Sequence, residues 1–341
     1  MLKFLMLITS YLYLNFVNAD QIHMADSHGP ISVMGDHMHK KDEVMFSYRF
    51  NHMVMKKMMN GTDELGIGNV TSLPNGASDG SGAYMNSPVS MKMDMHMFGA
   101  MYAPLDLLTV MIMTSYNEKE MTSRRMPMAG GAKFDVNSSG FGDLRSTFLI
   151  KTYNSKSMKN HVGLGMSFPT GSLNKRDRTP MSNDARLGYG MQNGTGTFDG
   201  YILFNNLNNF GKFKLGEQIF FKIPVSGKNN YGYRYGKEID LNLWLSYRFL
   251  NNLSSSFKVN YQFKDEMIGS DNEMNKRMSI VMDSENQGFQ KINLGFGINL
   301  VNHKKYLKNH RLALEVIVPV YEKFKGLQMS EDFRILIGWQ Y

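Results

Sequence analysis

The chain has 341 residues, a formal net charge of +8 and no cysteine. Its length allows two soluble domains or one large barrel. The absence of cysteine excludes disulfides, thiolate metal sites and the acylated cysteine of a lipoprotein.

Residues 1–19 have the pattern of a cleaved signal peptide. Lys3 precedes an apolar stretch over residues 4–16, and Val17-Asn18-Ala19 offers a cleavage site after Ala19. The alternative is a membrane anchor helix, but such a helix needs about 20 apolar residues. The pattern therefore predicts an exported protein, and nucleic acid is not an expected partner outside the cytoplasm.

Residues 20–42 are rich in His and Met, and we predict a flexible periplasmic lead-in to the first strand. Imidazole and thioether groups suit copper, and imidazole also suits zinc or nickel. Two interpretations stay open: a metal site with copper as the candidate ion, or a solvated segment without ligand geometry. The candidate ligands are His23, His28, Met34, His37, Met38 and His39.

From residue 43 onward, apolar and polar residues alternate with period two, which is typical of strands. In the clearest stretch, residues 239–249, Leu241, Leu243 and Leu245 share one face, and Asp240 and Arg248 lie on the other. We predict about twelve strands, near residues 43–55, 91–102, 106–116, 140–153, 160–169, 196–206, 211–224, 237–250, 254–265, 288–301, 309–318 and 331–341.

The predicted connectors alternate between short and long, and the last long one covers residues 319–330. Short turns at one end and long loops at the other are typical of outer-membrane barrels. Strands of about 9–11 residues suffice to span the bilayer. The sequence therefore predicts an all-β fold over residues 43–341, a transmembrane antiparallel β-barrel of about 12 strands in the outer membrane of a Gram-negative bacterium.

The polar strand faces are expected to line the lumen, and their mixed charges predict cross-strand salt bridges, including one between Glu315 and Arg334. The expected lumen-lining residues are Arg49, Asp94, His96, Asp143, Arg145, Asp240, Arg248, Lys258, Lys291, Glu315 and Arg334.

One strand carries methionines on a single face: Met91, Met93, Met95, Met97 and Met101. We interpret this face as lipid-facing, with Met in place of Leu and with Lys92, Asp94 and His96 opposite it in the lumen. The alternative interpretation is a copper relay.

No catalytic set is expected, because His161 and Ser167 share a face but nothing orients them together. We therefore predict that the protein is not an enzyme. The basic loop at residues 172–178 could contact the phosphates of lipopolysaccharide, or it could be a solvated loop tip. Outer-membrane lipid and lipopolysaccharide are the expected surroundings.

Five segments resemble an outer-membrane transporter family labelled "MetA-pathway of phenol degradation". They are residues 30–39 (PISVMGDHMH), 97–105 (MFGAMYAPL), 140–145 (GFGDLR), 168–171 (FPTG) and 338–341 (GWQY). The last strand, which ends on Trp339 and Tyr341, also resembles the C-terminal signal that the barrel-assembly machinery reads.

The resemblance implies a barrel that carries small molecules, with aromatic or other hydrophobic solutes as the cargo. A passive channel or transporter is therefore the expected function. Two alternatives stay open. One is a metal-linked outer-membrane protein that binds or hands on copper through its His/Met-rich segment. The other is a structural barrel with a plugged lumen.

Overall fold

The computed structural model describes residues 24–77, 79, 82–303 and 307–341. The predicted signal peptide and His23 lie outside these residues. The described strands are β1 Val44–Asn60, β2 Asp63–Leu65, β3 Asn86–Leu105, β4 Leu108–Arg125, β5 Lys133–Phe141, β6 Leu144–Asn154, β7 Met158–Phe168, β8 Arg176–Thr179, β9 Ser182–Arg186, β10 Asp199–Phe210, β11 Phe213–Pro224, β12 Tyr233–Arg234, β13 Glu238–Leu250, β14 Leu253–Lys264, β15 Ile268–Gly269, β16 Phe289–Val301, β17 Arg311–Phe324 and β18 Leu327–Gln340.

Short 3-10 helices interrupt the loops. They span Ala25–Ser27, Ile67–Ser72, Pro127–Ala129, Tyr189–Met191 and Ile280–Met282. In the part of the chain that the structure describes, no helix has the length and apolar character needed to cross a membrane.

Twelve strands close into one antiparallel barrel, as predicted. Their order around the wall is β1, β3, β4, β6, β7, β10, β11, β13, β14, β16, β17 and β18, and β18 pairs back onto β1. The strand β5 pairs with residues 116–124 of β4, and β6 pairs with residues 108–113 of the same strand. The strands β5 and β6 therefore take one position in the wall, with a break at residues 142–143. Closure leaves no free edge along the bilayer-spanning part of the described wall, whereas β2 and β5 each pair on one side only.

The two ends of the barrel differ. At one end, here the turn end, short connections lie at residues 106–107, 155–157, 211–212 and 251–252. The opposite end, the loop end, carries most of the long connections.

The predicted long connector at 319–330 is wrong: β17 and β18 join at residues 325–326, where Gly326 has a φ of +67°. A tight hairpin needs this left-handed conformation, which glycine adopts without strain.

Alternation along the strands separates an apolar outer face from a polar inner one. In β13, Leu241, Leu243 and Leu245 are exposed on the outside, and Trp244 and Ser246 are buried inside. The strand β3 has 20 residues and β4 has 18. Because about 9–11 residues span the bilayer, these strands extend past it at the loop end.

Candidate functional site

Residues 24–42 are here called the plug. Residues 24–39 lie inside the barrel, and residues 40–42 are exposed at the turn end. The plug enters at the turn end, where the Ala25 amide donates to the Asn251 carbonyl at 3.0 Å, and it leaves there, where Asp42 N donates to Ala103 O at 2.7 Å. Between these points Ile31 is only 1% exposed. The prediction of a flexible periplasmic lead-in is therefore wrong for the described residues. The segment is held inside the barrel because it contacts wall side chains that are distant in the sequence.

The plug reverses direction at Gly35, whose φ is +66°. Glycine suits this left-handed conformation, and an added Cβ would lie 3.0 Å from Leu203. The plug is therefore a loop with two arms, residues 24–33 and 36–42, joined by an apex at Met34 and Gly35.

Wall side chains hold the plug by hydrogen bonds to its backbone carbonyls. This irregular backbone would otherwise have unpaired polar groups inside the barrel. The contacts are Arg49 Nε to Ile31 O (3.0 Å), His161 Nε2 with Gly35 O (2.7 Å), Asn205 Nδ2 to Asp36 O (3.0 Å), Gln218 Nε2 to Met34 O (3.0 Å) and Arg311 Nη2 to Gly29 O (2.6 Å). They come from β1, β7, β10, β11 and β17, so the plug is fastened around the whole barrel.

A buried ion pair also contacts the plug. Lys258 Nζ lies 2.8 Å from Glu315 Oε1, and these side chains are 3% and 0% exposed. The Ser32 amide donates to Glu315 Oε2 at 2.9 Å, and Lys258 donates to the Ser32 hydroxyl. The pair therefore connects β14, β17 and the first arm of the plug.

The predicted pairing of Glu315 with Arg334 is wrong. Both side chains face inward, but Arg334 lies opposite Ile317, and Glu315 lies opposite Leu336. Arg334 Nη2 instead binds Glu331 Oε2 at 2.8 Å. The register differs from the expected one because the strands join at residues 325–326 rather than through a long loop.

The structure places most of the predicted lumen-lining residues on the inner face. Arg248 lies 3.7 Å from Asp26 of the plug, and Lys291 lies 2.9 Å from Glu322. The inward-facing residues are Arg49, Asp143, Arg145, Asp240, Arg248, Lys258, Lys291, Glu315 and Arg334.

Asp94 and His96 face outward, so their predicted position in the lumen is wrong. They share the face of Phe98, which is 46% exposed. Asp94 Oδ1 lies 2.5 Å from His52 Nδ1, and His96 Nδ1 lies 2.8 Å from the Tyr48 hydroxyl. Outward charges are tolerated because this half of β3 approaches the loop end, where water or lipid headgroups replace hydrocarbon.

The methionines of β3 face the lumen, which corrects their interpretation as a lipid-facing row. Met101 is 3% exposed and packs with Met45, Met111 and Met113. Met97 packs with Ile31 in a second cluster. Met34, at the apex of the plug, contacts both clusters. Flexible, polarisable thioethers therefore surround the apex of the plug, and such side chains repack easily.

Two cavities lie on opposite sides of the plug. The loop-side cavity, of about 410 Å³, has Met34 in its lining and the methionines Met93, Met95, Met97 and Met113 on its wall. The turn-side cavity, of about 850 Å³, is bordered by the second arm of the plug and extends to Ser155 and Lys156 at the turn end. The plug and the methionines around it separate the two spaces.

Polar groups of the loop-side cavity face the methionine wall. Asp143 accepts hydrogen bonds from the amides of Gly171 and Thr195, both at 2.9 Å, which fastens two loops over the cavity. The remaining polar lining includes Lys119, Arg145, Tyr189, Tyr235, Glu238 and Lys264. The cavity is therefore amphipathic, with thioethers on one side and charged or phenolic groups on the other.

Histidines from both arms of the plug meet at the turn-side cavity. Ligand atoms of His28, Asp36 and His37 all lie within 4.8 Å of one another. The rings of His37 and His39 are 5.0 Å apart. Met38 lines the same cavity, but Met34 packs in the methionine clusters instead. Asp36, which was not among the predicted ligands, is part of the group because Gly35 turns the chain back beside His28.

Burial and neighbouring charges set the protonation states in this histidine group. Burial by itself would raise the pKa of Asp36, but the neighbouring His37, whose Nδ1 lies 2.8 Å away, holds that pKa below its usual range. Burial lowers the pKa of His39. The group therefore presents a fixed carboxylate and, at His39, a neutral imidazole at neutral pH.

The first arm of the plug packs closely against Gly338 of β18, which has no side chain. A Cβ added there would lie 2.4 Å from Ile31 Cγ1. We expect Gly338→Ala to displace Ile31 and to increase hydrogen–deuterium exchange across residues 24–42. Gly190→Ala is the matched control, because an added Cβ at that position meets nothing within 4 Å. Unchanged exchange in Gly338→Ala would contradict the close packing of the plug against β18.

Comparisons with known proteins support the fold. No protein-family model and no curated protein matches the chain. An outer membrane channel from Pseudomonas putida F1 is similar in structure, with a TM-score of 0.60 at 12% identity over 89% of this chain and 96% of that one.

Two further solved structures are more distant. A Pseudomonas aeruginosa FadL homologue has a TM-score of 0.41 at 9% identity, over 88% of this chain and 90% of that one. The TodX monoaromatic hydrocarbon channel, in a deletion mutant, has a TM-score of 0.42 at 9% identity, over 89% and 91%. Together with the geometry above, the similarity to the Pseudomonas putida channel shows that this chain has the fold of an outer-membrane β-barrel.

Proposed function

We propose that this protein is an outer-membrane channel for small solutes, and that the plug closes its lumen in the conformation described here. The observation that carries the proposal is the pair of cavities that the plug separates. We place the turn end toward the periplasm and the loop end toward the outside of the cell, because short connections are typical of the periplasmic end of such barrels.

A filled, purely structural barrel explains these features less well. Side chains alone can fill the interior of a small barrel, yet here much of the lumen is occupied by a chain segment that belongs to no strand. Hydrogen bonds to its carbonyls hold that segment, and each contributes only about 0.5–1.5 kcal/mol, or more where the donor is charged. Such a segment can move without disturbing the strand ladder.

The loop-side cavity supports a small, partly hydrophobic cargo. Thioethers such as Met93 and Met95 pack well against aromatic rings. Arg145, on the opposite side, could bind an anionic group. We therefore propose aromatic or similar hydrophobic solutes as cargo, in agreement with the family that the sequence segments resemble, and a transport role without catalysis.

The test is solute entry into proteoliposomes that contain the purified mature protein. We expect measurable entry of benzoate, and slower entry of a neutral sugar of similar size. Arg145→Gln should reduce the preference for benzoate and leave sugar entry unchanged. If neither this protein nor a variant without the plug admits any solute while both are folded, the channel proposal fails and a structural barrel remains.

A further inference from the structure

Three imidazoles cluster where the two arms of the plug meet. The ring centroids of His28 and His37 are 4.3 Å apart, and those of His37 and His39 are 5.0 Å apart. His28 belongs to the first arm, whereas His37 and His39 belong to the second. The chain reversal at Gly35 thus gathers side chains that a fully extended segment would separate by about 30 Å.

Carboxylates orient two of these rings. His37 Nδ1 lies 2.8 Å from Asp36 Oδ1, and His39 Nδ1 lies 3.4 Å from Glu43 Oε2. Asp36 is itself fixed, because the Gly29 amide donates to its second oxygen at 2.6 Å. A histidine that binds a metal through one ring nitrogen typically donates the other N–H to a carboxylate or carbonyl.

The opposite nitrogens of these two rings lack a partner among the described residues. His37 Nε2 and His39 Nε2 are buried and make no hydrogen bond there. A buried polar atom without a partner is unfavourable, so native proteins rarely keep one without a reason. Two such atoms on adjacent oriented imidazoles, beside a third imidazole, point to a ligand that accepts nitrogen lone pairs.

We propose that His28, His37 and His39 bind one transition-metal ion, with Asp36 and Glu43 orienting the rings. Neutral imidazole suits Cu²⁺ and Zn²⁺, and the usual order of affinities favours copper. Metal–nitrogen bonds of about 2.0–2.1 Å require side-chain rotations that bring one nitrogen of each ring together. The turn-side cavity supplies an entry path and room for a fourth ligand, either water or the Met38 thioether.

A bound ion would cross-link the two arms of the plug. The binding site and the channel remain separate claims, because an ion can bind whether or not solutes pass. The test therefore reads binding directly. Cu²⁺ and, separately, Zn²⁺ are titrated calorimetrically into the full mature protein in detergent, and its folded state is checked by heat-dependent gel mobility.

We expect one ion per chain, with Cu²⁺ bound more tightly than Zn²⁺, and nitrogen hyperfine couplings in the Cu²⁺ electron paramagnetic resonance spectrum. Asp36→Asn should weaken binding by roughly 10–100-fold, as loss of an orienting carboxylate does. His28→Gln and His37→Gln should weaken it further. The matched control is His96→Gln, because His96 faces outward beside Tyr48, and it should change nothing.

Three results would overturn the proposal. They are no binding of either ion, binding that His28→Gln and His37→Gln leave intact in folded protein, and binding that is lost only when His23 is replaced. The last result would assign the ion to the N-terminal residues before the plug.

Discussion

Deletion of residues 24–39 is expected to turn a nearly silent barrel into a steadily conducting pore. These residues lie between the two cavities, and they take no part in the strand ladder. Water would replace their five carbonyl contacts to the wall, which come from Arg49, His161, Asn205, Gln218 and Arg311. Single-channel recording in planar bilayers measures the effect.

The expected size of the effect follows from the contacts that hold the plug. Five hydrogen bonds at about 0.5–1.5 kcal/mol each can keep the open fraction near or below about 1%. Deletion should therefore raise the open fraction by at least about two orders of magnitude. Gly190→Ala, which leaves the plug intact, serves as the control. A deleted variant that is folded but still silent would show that the loops at the loop end close the lumen.

Lys258→Met should destabilise the folded barrel by about 3–5 kcal/mol, because Glu315 would remain buried without its partner charge. Both groups are nearly inaccessible in the structure, so water cannot replace the lost interaction without rearrangement. Urea unfolding of the protein in lipid vesicles, followed by tryptophan fluorescence, measures the loss.

Two variants make this experiment specific. Lys323→Met changes the same residue type at an exposed position of β17 and should have little effect. The double variant Lys258→Met/Glu315→Leu removes both charges and should recover most of the lost stability, as replacement of whole buried ion pairs often does. If Lys258→Met is no more destabilising than Lys323→Met, the pair contributes little to stability.

The barrel was predictable because period-two alternation has a direct physical cause. Side chains of a strand alternate between its two faces, and here one face meets lipid while the other meets a polar lumen. The same rule could have placed β3 correctly. Phe98 and Tyr102 share the face of Asp94 and His96, and their aromatic rings mark it as the outer one.

The position of the plug was not predictable in the same way. It has no repeating pattern, because its side chains do not alternate between two environments. Its contacts are also distant along the chain: Gly29 and Arg311, for example, are separated by 282 residues. His28, His37 and His39 were recognisable as candidate ligands from residue type, but the role of Asp36 in orienting His37 depends on the fold of the plug around Gly35.

The wide distribution of wall contacts has a consequence for assembly. The plug precedes β1 in the sequence, yet it binds side chains of β11, β14 and β17, and Gly338 makes room for it in β18. Its full set of partners therefore exists only after the last strand has paired with the first. The plug is translated first but can make its full set of contacts only after the final strand has paired, so we expect barrel closure and plug docking to be the last steps of assembly.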